Sequence, residues 1–401
     1  MDRLMSARQR RGALEGVTVL DLTRLLPGAF CSQLMADMGA EVIKVEDPRG
    51  GDYNRGWEPK AKTESGSFLL LNRNKKSVTL NLKTGEGHAA FMRLARNADV
   101  ILEGFRPGVM EGLGLGYETL KAENPGIVYC SISGYGQDGP LRLAPGHDIN
   151  YLGTAGALQL FGKAGEGPMV PGLSIADVGG GSLMASTGIL AALYSRSVTG
   201  EGQYIDISMT DGVVAWLALH GADYLFGGTE PRGGERPWIG QAPCYNIYRC
   251  ADGRYVALGA LEPHFWERFC DMAELPAALR THYPEGEEAE RQRDALVALF
   301  QTRTRDEWAA AGEAADIPLT AVNDMGEAFQ NPQMVHREML LHVDHPVEGR
   351  VPQLGFPIKL AGTPCDIRMP PPRLGEHNAE VLSRAGYSEA EIAAMKAGGA
   401  I

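Results

Sequence analysis

Short apolar segments alternate with helical patterns through the first half of this chain. Residues 17–22 (V-T-V-L-D-L) are typical of a buried strand, Pro27 and Gly28 mark the start of a helix, and residues 41–46 (E-V-I-K-V-E) are typical of the next strand. Further apolar runs predict strands at residues 78–82, 100–102, 127–133 and 203–208. Because parallel strands need a crossover helix between them, this alternation predicts a Rossmann-like, doubly wound α/β domain. No G-x-G-x-x-G motif follows the first strand, so a nicotinamide cofactor is not indicated.

The pattern changes after about residue 226. Residues 227–240 are rich in glycine, proline and arginine, which predicts a linker. Asp252 and Gly253 form a hairpin-type turn signal between two short strand patterns. Helices are predicted at residues 263–272, 288–300 and 305–314.

The last part of the chain is less regular. Beyond Asn331 the sequence is rich in proline and predicts irregular structure, up to a final helix that begins at Ser388. We therefore predict a large α/β domain at residues 1–225 with a C-terminal return at 331–401, and a smaller α+β domain at 226–330.

The composition restricts the classes of partner. The formal net charge of −12 over 401 residues argues against nucleic acid as the main partner. No run of about 18 apolar residues is present, so no membrane span is predicted. The 6 cysteines have neither C-x-x-C spacing nor a metal-binding pattern, and no signal peptide is recognised. These features predict reduced thiols, no metal site and a cytoplasmic location.

Two side chains able to carry protons, His147 and Asp177, lie in a glycine-rich stretch. Gly146 precedes the histidine, and three glycines follow the aspartate after one residue. Taken singly, a histidine beside an aspartate is commonly a surface pair, and an aspartate before a helix is commonly an N-cap. The motifs around the two residues therefore decide the interpretation.

Several segments of the chain, in one consistent order, resemble the class III CoA-transferase family, which includes the α-methylacyl-CoA racemases. They are L-E-G-V-T-V-L-D-L, L-N-R-N-K-K-S, E-G-F-R-P-G-V, G-H-D-I-N-Y, A-D-V-G-G-G, T-G-E-G-Q-Y-I-D-I-S-M and A-D-G-R-Y-V-A-L-G-A-L-E-P-H-F-W. The resemblance extends over residues 14–401. It implies two domains, an intertwined homodimer, an acyl-CoA thioester as the substrate and no separate cofactor.

The resemblance also implies roles for individual residues. His147 and Asp177 match the acid/base pair of the racemases, and Glu262 matches the glutamate that pairs with the histidine from the other subunit. The backbone N–H of Asp148 is the implied donor to an enolate oxygen. The implied CoA contacts, in what we expect to be a basic loop and its surroundings, are Arg73, Lys75, Lys76, Arg106 and Tyr151.

Three functions remain open at this point. An acyl-CoA racemase or epimerase would move the α-proton between His147 and Asp177, and Asp177 would then need burial to raise its pKa above the ordinary value of about 3.9. A CoA-transferase would use Asp177 as a nucleophile instead. The segment W-I-G-Q departs from the racemase pattern, and the stretch L-N-R-N-K-K-S and the tail P-P-P-R-L-G-E-H resemble the transferases. A non-catalytic CoA-binding subunit is the third possibility, against which the retention of His147, Asp177 and Glu262 argues.

Overall fold

The computed structural model describes residues 12–401. Its strands, in chain order, are β1 (Thr18–Asp21), β2 (Glu41–Glu46), β3 (Lys75–Thr79), β4 (Val100–Glu103), β5 (Val128–Ser133), β6 (Tyr204–Ser208), β7 (Tyr245–Arg249), β8 (Tyr255–Gly259), β9 (Leu319–Ala321), β10 (Leu340–His345) and β11 (Gly349–Leu354). Its α-helices, in chain order, are α1 (Leu25–Asp37), α2 (Gly66–Leu71), α3 (Gly85–Ala95), α4 (Val109–Gly112), α5 (Tyr117–Glu123), α6 (Asp148–Thr154), α7 (Met184–Thr199), α8 (Met209–Trp216), α9 (Ala218–Leu225), α10 (Pro263–Met272), α11 (Gly286–Phe300), α12 (Arg305–Ala314), α13 (Met325–Gln330), α14 (Pro332–His336), α15 (Asn378–Arg384) and α16 (Glu389–Ala397). A π-helix at Ala176–Leu183 leads directly into α7.

The described chain divides into two compact units. The second unit consists of Gly156–Gly172 and Trp216–Asn331, and the first unit holds the rest. The predicted domain boundaries therefore differ from the observed ones, because residues 216–225 and 156–172 belong to the second unit. Residues 156–172 join the second unit through contacts with residues distant in the sequence. For example, the Gly233 N–H donates a hydrogen bond to the carbonyl of Gln159 (2.9 Å).

The first unit is built on one parallel sheet with the strand order β3-β2-β1-β4-β5-β6. Val19 and Leu20 are neighbours on β1, so their side chains point to opposite faces, and both are fully buried. This confirms the predicted doubly wound α/β fold. The winding reverses between β1 and β4, and ligands of such sheets bind at this switch point, beyond the carboxyl ends of the strands.

The turn from β1 into α1 is held by buried charges. Helix α1 begins at Leu25, two residues earlier than predicted, with Leu25 at a positive φ of 65°. The Leu25 N–H donates to Asp52 Oδ1 (3.0 Å), and Asp52 forms an ion pair with Lys44 (2.8 Å). Lys44 Nζ also donates to the Thr23 carbonyl (2.8 Å). These bonds fix the backbone at the switch point, where α1 begins.

The second unit contains a three-stranded antiparallel sheet in the order β7-β8-β9. Helices α10 and α12 have the predicted bounds, and α11 begins two residues before its predicted start. The core of the second unit contains aromatic rings that stack or tilt against one another, from Trp266, Phe269, Phe300 and Trp308.

The C-terminal return contains elements that the sequence did not predict. Strands β10 and β11 form an antiparallel hairpin, and α15 precedes the predicted last helix, which Ser388 caps. The hairpin depends on distant contacts, because the Glu348 carboxylate accepts hydrogen bonds from the backbone N–H groups of Lys62 (2.6 Å) and Thr63 (3.1 Å). Such pairing is set by tertiary structure, which explains why local sequence patterns missed it.

One helical stretch of the described residues, Ala176–Thr199, is long and apolar enough to cross a membrane by length and composition alone. The sequence had predicted no membrane span here. Half of its most apolar window is buried inside the protein, and core helices of soluble proteins meet the same criterion, so the finding is weak support for a membrane span.

Candidate active site

Asp177 is the second residue of the π-helix at Ala176–Leu183. Short π-helical turns are uncommon and frequently occur at functional sites. This one is tied to the start of α1, because the Ser182 hydroxyl donates to the carbonyls of Pro27 (2.6 Å) and Asp177 (3.1 Å). The backbone that carries Asp177 is therefore anchored against the β1–α1 turn.

The glycines that follow Asp177 serve helix packing. A Cβ added to Gly180 would collide with the backbone carbonyl of Met209, and a Cβ on Gly181 would lie 3.0 Å from the Met209 side chain. A Cβ on Gly212 would likewise meet the Gly180 backbone. These glycines are thus explained by packing, because they allow α8 to contact the π-helix.

His147 immediately precedes α6, and its local bonds fix the start of that helix. The His147 N–H donates to Asn150 Oδ1 (3.0 Å), and the Asn150 N–H donates to the His147 carbonyl (2.8 Å). The imidazole itself is exposed, so a ligand can reach it.

Tyr151 supports this segment from within the protein. It is 7% exposed, its hydroxyl donates to the Gly146 carbonyl (2.5 Å), and its ring meets the edge of Tyr135. A Cβ on Gly146 would lie 2.6 Å from the Tyr151 ring, so this glycine permits the close packing. The structure thus gives Tyr151 a positioning role beside His147, and the CoA contact that the resemblance implied stays a prediction.

One hydrogen bond joins the two halves of the predicted acid/base pair. Asp148, the first residue of α6, accepts a hydrogen bond on Oδ1 from the Asp177 N–H (2.9 Å). The Asp148 N–H itself has no acceptor among the described residues, as is usual in the first turn of a helix. The sequence had suggested a role only for this N–H, and not for the hydrogen bond between the Asp148 carboxylate and the Asp177 backbone.

The environment of the Asp177 carboxyl group changes its acidity. Burial, together with the neighbouring Asp148 carboxylate, raises its pKa to about 6, and His147 partly opposes both effects. No described residue donates a hydrogen bond to this carboxylate. Asp177 can therefore exchange a proton near neutral pH, and its oxygens are free to react.

Glu262 lies in the second unit, immediately before α10, where its side chain is exposed. The predicted pairing with His147 requires a second chain, and it stays a prediction.

Arg73 and Lys75 are not on a solvated basic loop, as we had expected. Arg73 is 1% exposed and forms a two-pronged ion pair with Asp37, with contacts of 2.9 and 2.7 Å. Lys75 is fully buried on β3, 3.5 Å from Asp21, and burial lowers its pKa to about 8. Because protein carboxylates and carbonyls surround both cations, the geometry argues against the predicted contacts with CoA phosphates.

Lys76 and Arg106 differ in their surroundings. Lys76 lies on β3 and pairs with Glu41 (2.7 Å) and Glu380 (2.5 Å), so its charge is also compensated within the protein. Arg106 is exposed and has no ion-pair partner among the described residues. Of the four cations predicted to contact CoA, only Arg106 has a free, accessible head group.

A cleft of about 660 Å³ lies where β1, β2, β3 and β4 end, at the switch point of the sheet. Arg24, in the β1–α1 turn, lines this cleft. Its side chain donates a hydrogen bond to the Tyr53 hydroxyl (2.8 Å). Its guanidinium carbon lies 5.0 Å from the ring centre of Tyr53 and 5.4 Å from the ring centre of Phe105. Arg49 and Lys83 also line the cleft. Sequence reasoning missed this group, although the position of Arg24 directly after the first strand pointed to it.

Comparison with known proteins identifies the family. Residues 14–378 match the profile of CoA-transferase family III. The chain belongs to this family. Human α-methylacyl-CoA racemase is 35% identical over 382 residues, which cover 95% of this chain and 95% of the racemase. Human succinyl-CoA:glutarate CoA-transferase is 33% identical over 398 residues, which cover 97% of this chain and 90% of the transferase.

A solved relative has the same fold. The crystal structure of a CaiB/BaiF family protein from Brucella suis gives a TM-score of 0.82 at 30% identity, and the match covers 94% of this chain and 100% of that protein. Relatives within CoA-transferase family III thus include both racemases and CoA-transferases. Membership assigns the chain to this enzyme superfamily and leaves the reaction to be decided from the site.

Proposed function

We propose that this protein is an acyl-CoA racemase or epimerase that inverts the α-carbon of a 2-methylacyl-CoA through an enolate. The observation that carries the proposal is the half-buried Asp177 carboxyl group, whose pKa burial and the Asp148 carboxylate raise to about 6 although His147 acts in the opposite direction. General acid–base catalysis is most effective when the pKa of the catalytic group lies near the working pH.

In the proposed reaction the two side chains exchange roles. One of them removes the α-proton from the thioester, and the electron pair left on carbon moves onto the thioester oxygen. The other, already protonated, returns a proton to the opposite face of the same carbon. The raised pKa of Asp177 lets its carboxyl group hold a proton in one direction and accept one in the other.

The enolate oxygen needs a hydrogen-bond donor. The Asp148 N–H has no acceptor among the described residues, and the same residue is bonded to the Asp177 backbone through its carboxylate. This supports the proposed use of the Asp148 N–H at the developing negative charge. The scheme uses no group beyond the protein and the thioester.

The phosphates and adenine of CoA are proposed to bind in the switch-point cleft. Arg24 and Lys83 supply positive charge there, without a carboxylate partner among the described residues, and Tyr53 and Phe105 supply aromatic faces. In a chain of net charge −12, such a local cluster is what an anionic nucleotide requires. Arg106 follows Phe105 directly and stays a candidate contact.

A CoA-transferase is the second candidate, favoured by the absence of any hydrogen bond to the Asp177 carboxylate from the described residues. An oxygen of this carboxylate could attack the thioester carbonyl. CoA would then leave as the thiolate, and an acyl–aspartyl anhydride would form. Return of the thiolate to the aspartyl carbonyl would release the acyl group as a free carboxylate and leave CoA on Asp177. CoA would then pass to an acceptor carboxylate.

Incubation of the enzyme with 2-methylbutanoyl-CoA in deuterated water separates the two candidates. A racemase should incorporate one deuteron at the α-carbon, lose this exchange in at least one direction in His147→Ala, and form no adduct. A transferase should instead give a hydroxylamine-sensitive mass increase on the peptide that contains Asp177, and should move CoA to added succinate or glutarate. Transfer with no α-proton exchange would refute the racemase proposal.

We also propose an intertwined homodimer in a cytoplasmic setting, in which Glu262 of one chain orients His147 of the other. Large apolar side chains support an interface, since Tyr194 and Val198 on α7 are 74% and 72% exposed and Phe226 is 91% exposed. If the site is shared, mixing His147→Ala and Glu262→Ala subunits should restore part of the activity that each variant lacks. No recovery in a mixed dimer would contradict the shared site.

A further inference from the structure

Asp52 lies beside the switch-point cleft but does not line it, and it is only 1% exposed. Its Oδ1 accepts hydrogen bonds from the backbone N–H groups of Leu25 and Asn54, each at 3.0 Å. Its Oδ2 lies 2.8 Å from Nζ of the fully buried Lys44 on β2. One carboxylate therefore joins the β1–α1 turn to the turn at residues 53–56 and to the sheet.

The two N–H groups bonded to Asp52 belong to the residues that directly follow Arg24 and Tyr53, and both of these line the cleft. The Arg24 guanidinium donates a hydrogen bond to the Tyr53 hydroxyl (2.8 Å) and lies over the Tyr53 ring. The Tyr53 side chain is 58% exposed, so packing restrains it little. Asp52 fixes the two backbone segments relative to each other, and this allows the arginine and the tyrosine to meet.

Leu25 needs such a restraint because of its backbone conformation. Its φ of 65° lies in the left-handed region, where the Cβ atom of an L residue comes too close to the following carbonyl oxygen. The other described non-glycine residues with a positive φ have polar side chains: Asn74, Glu274, Asp316 and Glu338. A strained conformation persists only where the surrounding structure enforces it. At Leu25 the hydrogen bond to Asp52 supplies this restraint, so its loss should let the turn relax and move Arg24.

We propose that Asp52 is a positioning residue for the binding of acyl-CoA. Without contacting the ligand, its carboxylate holds Leu25 in the left-handed conformation and thereby keeps Arg24 against Tyr53, ready to receive the nucleotide of CoA. A preformed arrangement of this kind reduces the entropy that is lost on binding. The inference rests on the proposed binding of CoA in the switch-point cleft, and it adds the group that organises this cleft in advance.

Isothermal titration calorimetry of the full-length protein with coenzyme A tests the role of Asp52. Asp52→Ala should weaken binding about tenfold, because the relaxed turn must be reordered when the ligand binds. Glycine adopts a positive φ without steric cost, so in a Leu25→Gly background the same change should weaken binding about threefold or less. Leu25→Ala is the matched control, because it also shortens the leucine but keeps the Cβ atom, and in this background the loss should stay about tenfold. Equal losses in the glycine and alanine backgrounds would refute the positioning role.

A second comparison separates positioning from general destabilisation. Asp37→Ala also removes a buried carboxylate from a cationic partner, Arg73 (2.7 Å), and neither of these residues lines the cleft. This variant should lose stability and keep its affinity for coenzyme A, and a loss of affinity equal to that of Asp52→Ala would overturn the proposal. Should Asp52→Ala not fold, because Lys44 is then buried without its partner, Lys44→Met combined with it removes both charges and serves the same test.

Arg24→Ala distinguishes this inference from the proposed function on which it rests. Both Arg24→Ala and Asp52→Ala should weaken the binding of coenzyme A. Weaker binding in Arg24→Ala with full affinity in a folded Asp52→Ala would overturn the positioning role alone. Unchanged affinity in Arg24→Ala would place CoA outside the cleft, and the positioning role would fall with that assignment.

Discussion

Replacing Asp177 with asparagine should stabilise the fold at neutral and alkaline pH, although the change removes the reacting group. Burial and the Asp148 carboxylate raise the pKa of Asp177 from 3.8 to about 6. Since one pKa unit corresponds to about 1.4 kcal/mol, this difference opposes folding by about 3 kcal/mol once the carboxyl group is ionised in both the folded and the unfolded chain.

The sign of the effect sets its pH range. Well below pH 3.8 the carboxyl group is protonated in both states and contributes nothing. Between 3.8 and about 6 the unfolded chain loses its proton while the folded chain keeps it, so the stability of the wild-type protein falls as pH rises. Asparagine does not titrate, and the stability advantage of Asp177→Asn should therefore grow by about 3 kcal/mol between about pH 3 and about pH 8.

Urea unfolding followed by circular dichroism, at several pH values, measures this difference. Asp138→Asn is the matched control, because Asp138 is an exposed aspartate of the same unit. Its stability relative to wild type should show no comparable rise with pH. A stability difference for Asp177→Asn that is constant across this range, or that decreases with pH, would refute a raised pKa for Asp177.

Three further changes test other parts of the site. Asp148→Asn should lower the pKa of Asp177, because the Asp148 carboxylate raises it, and should move the acidic limb of the pH–rate profile to lower pH; an unmoved limb would contradict this coupling. Arg24→Ala should weaken acyl-CoA binding about tenfold at low salt and less at high salt, with partial recovery in Arg24→Lys, whereas unchanged affinity would place the phosphates outside the cleft. Arg73→Ala leaves Asp37 buried without its partner and should reduce the free energy of unfolding by about 3–5 kcal/mol; weaker CoA binding at unchanged stability would instead support a phosphate contact.

The fold could be predicted because its signals are local. Parallel strands buried on both faces are continuous apolar runs, and the helices between them begin at recognisable capping residues such as Thr84, whose hydroxyl accepts a hydrogen bond from the Gly87 N–H (3.2 Å). The β10–β11 hairpin gave no such signal, because the bonds that hold it come from Lys62 and Thr63, far away in sequence.

The cations show why part of the candidate site could not be predicted. The sequence L-N-R-N-K-K-S has the composition of an exposed phosphate-binding loop, yet β3 begins at Lys75, and buried carboxylates from α1 and β1 neutralise Arg73 and Lys75. Whether a basic side chain is free or paired depends on residues that are distant in the sequence, as the pair of Lys76 with Glu380 also shows. Only the three-dimensional arrangement identified Arg24 as a cation at the switch point that forms no ion pair with the described residues.

The surroundings of the Asp177 side chain are not the ones that would make the fold most stable. Buried carboxylates usually accept hydrogen bonds, and Asp21 accepts them from both Thr23 and Ser32. Asp177 lies half-buried without a donor to its side chain among the described residues, next to a second carboxylate that raises its pKa further. Proton transfer and nucleophilic attack both need such a carboxylate, because a donor bound to its oxygens would stabilise the ionised ground state and occupy the reacting lone pairs. Its backbone, by contrast, is firmly bonded through Asp148 and Ser182, so the free carboxylate is held in place without losing its reactivity.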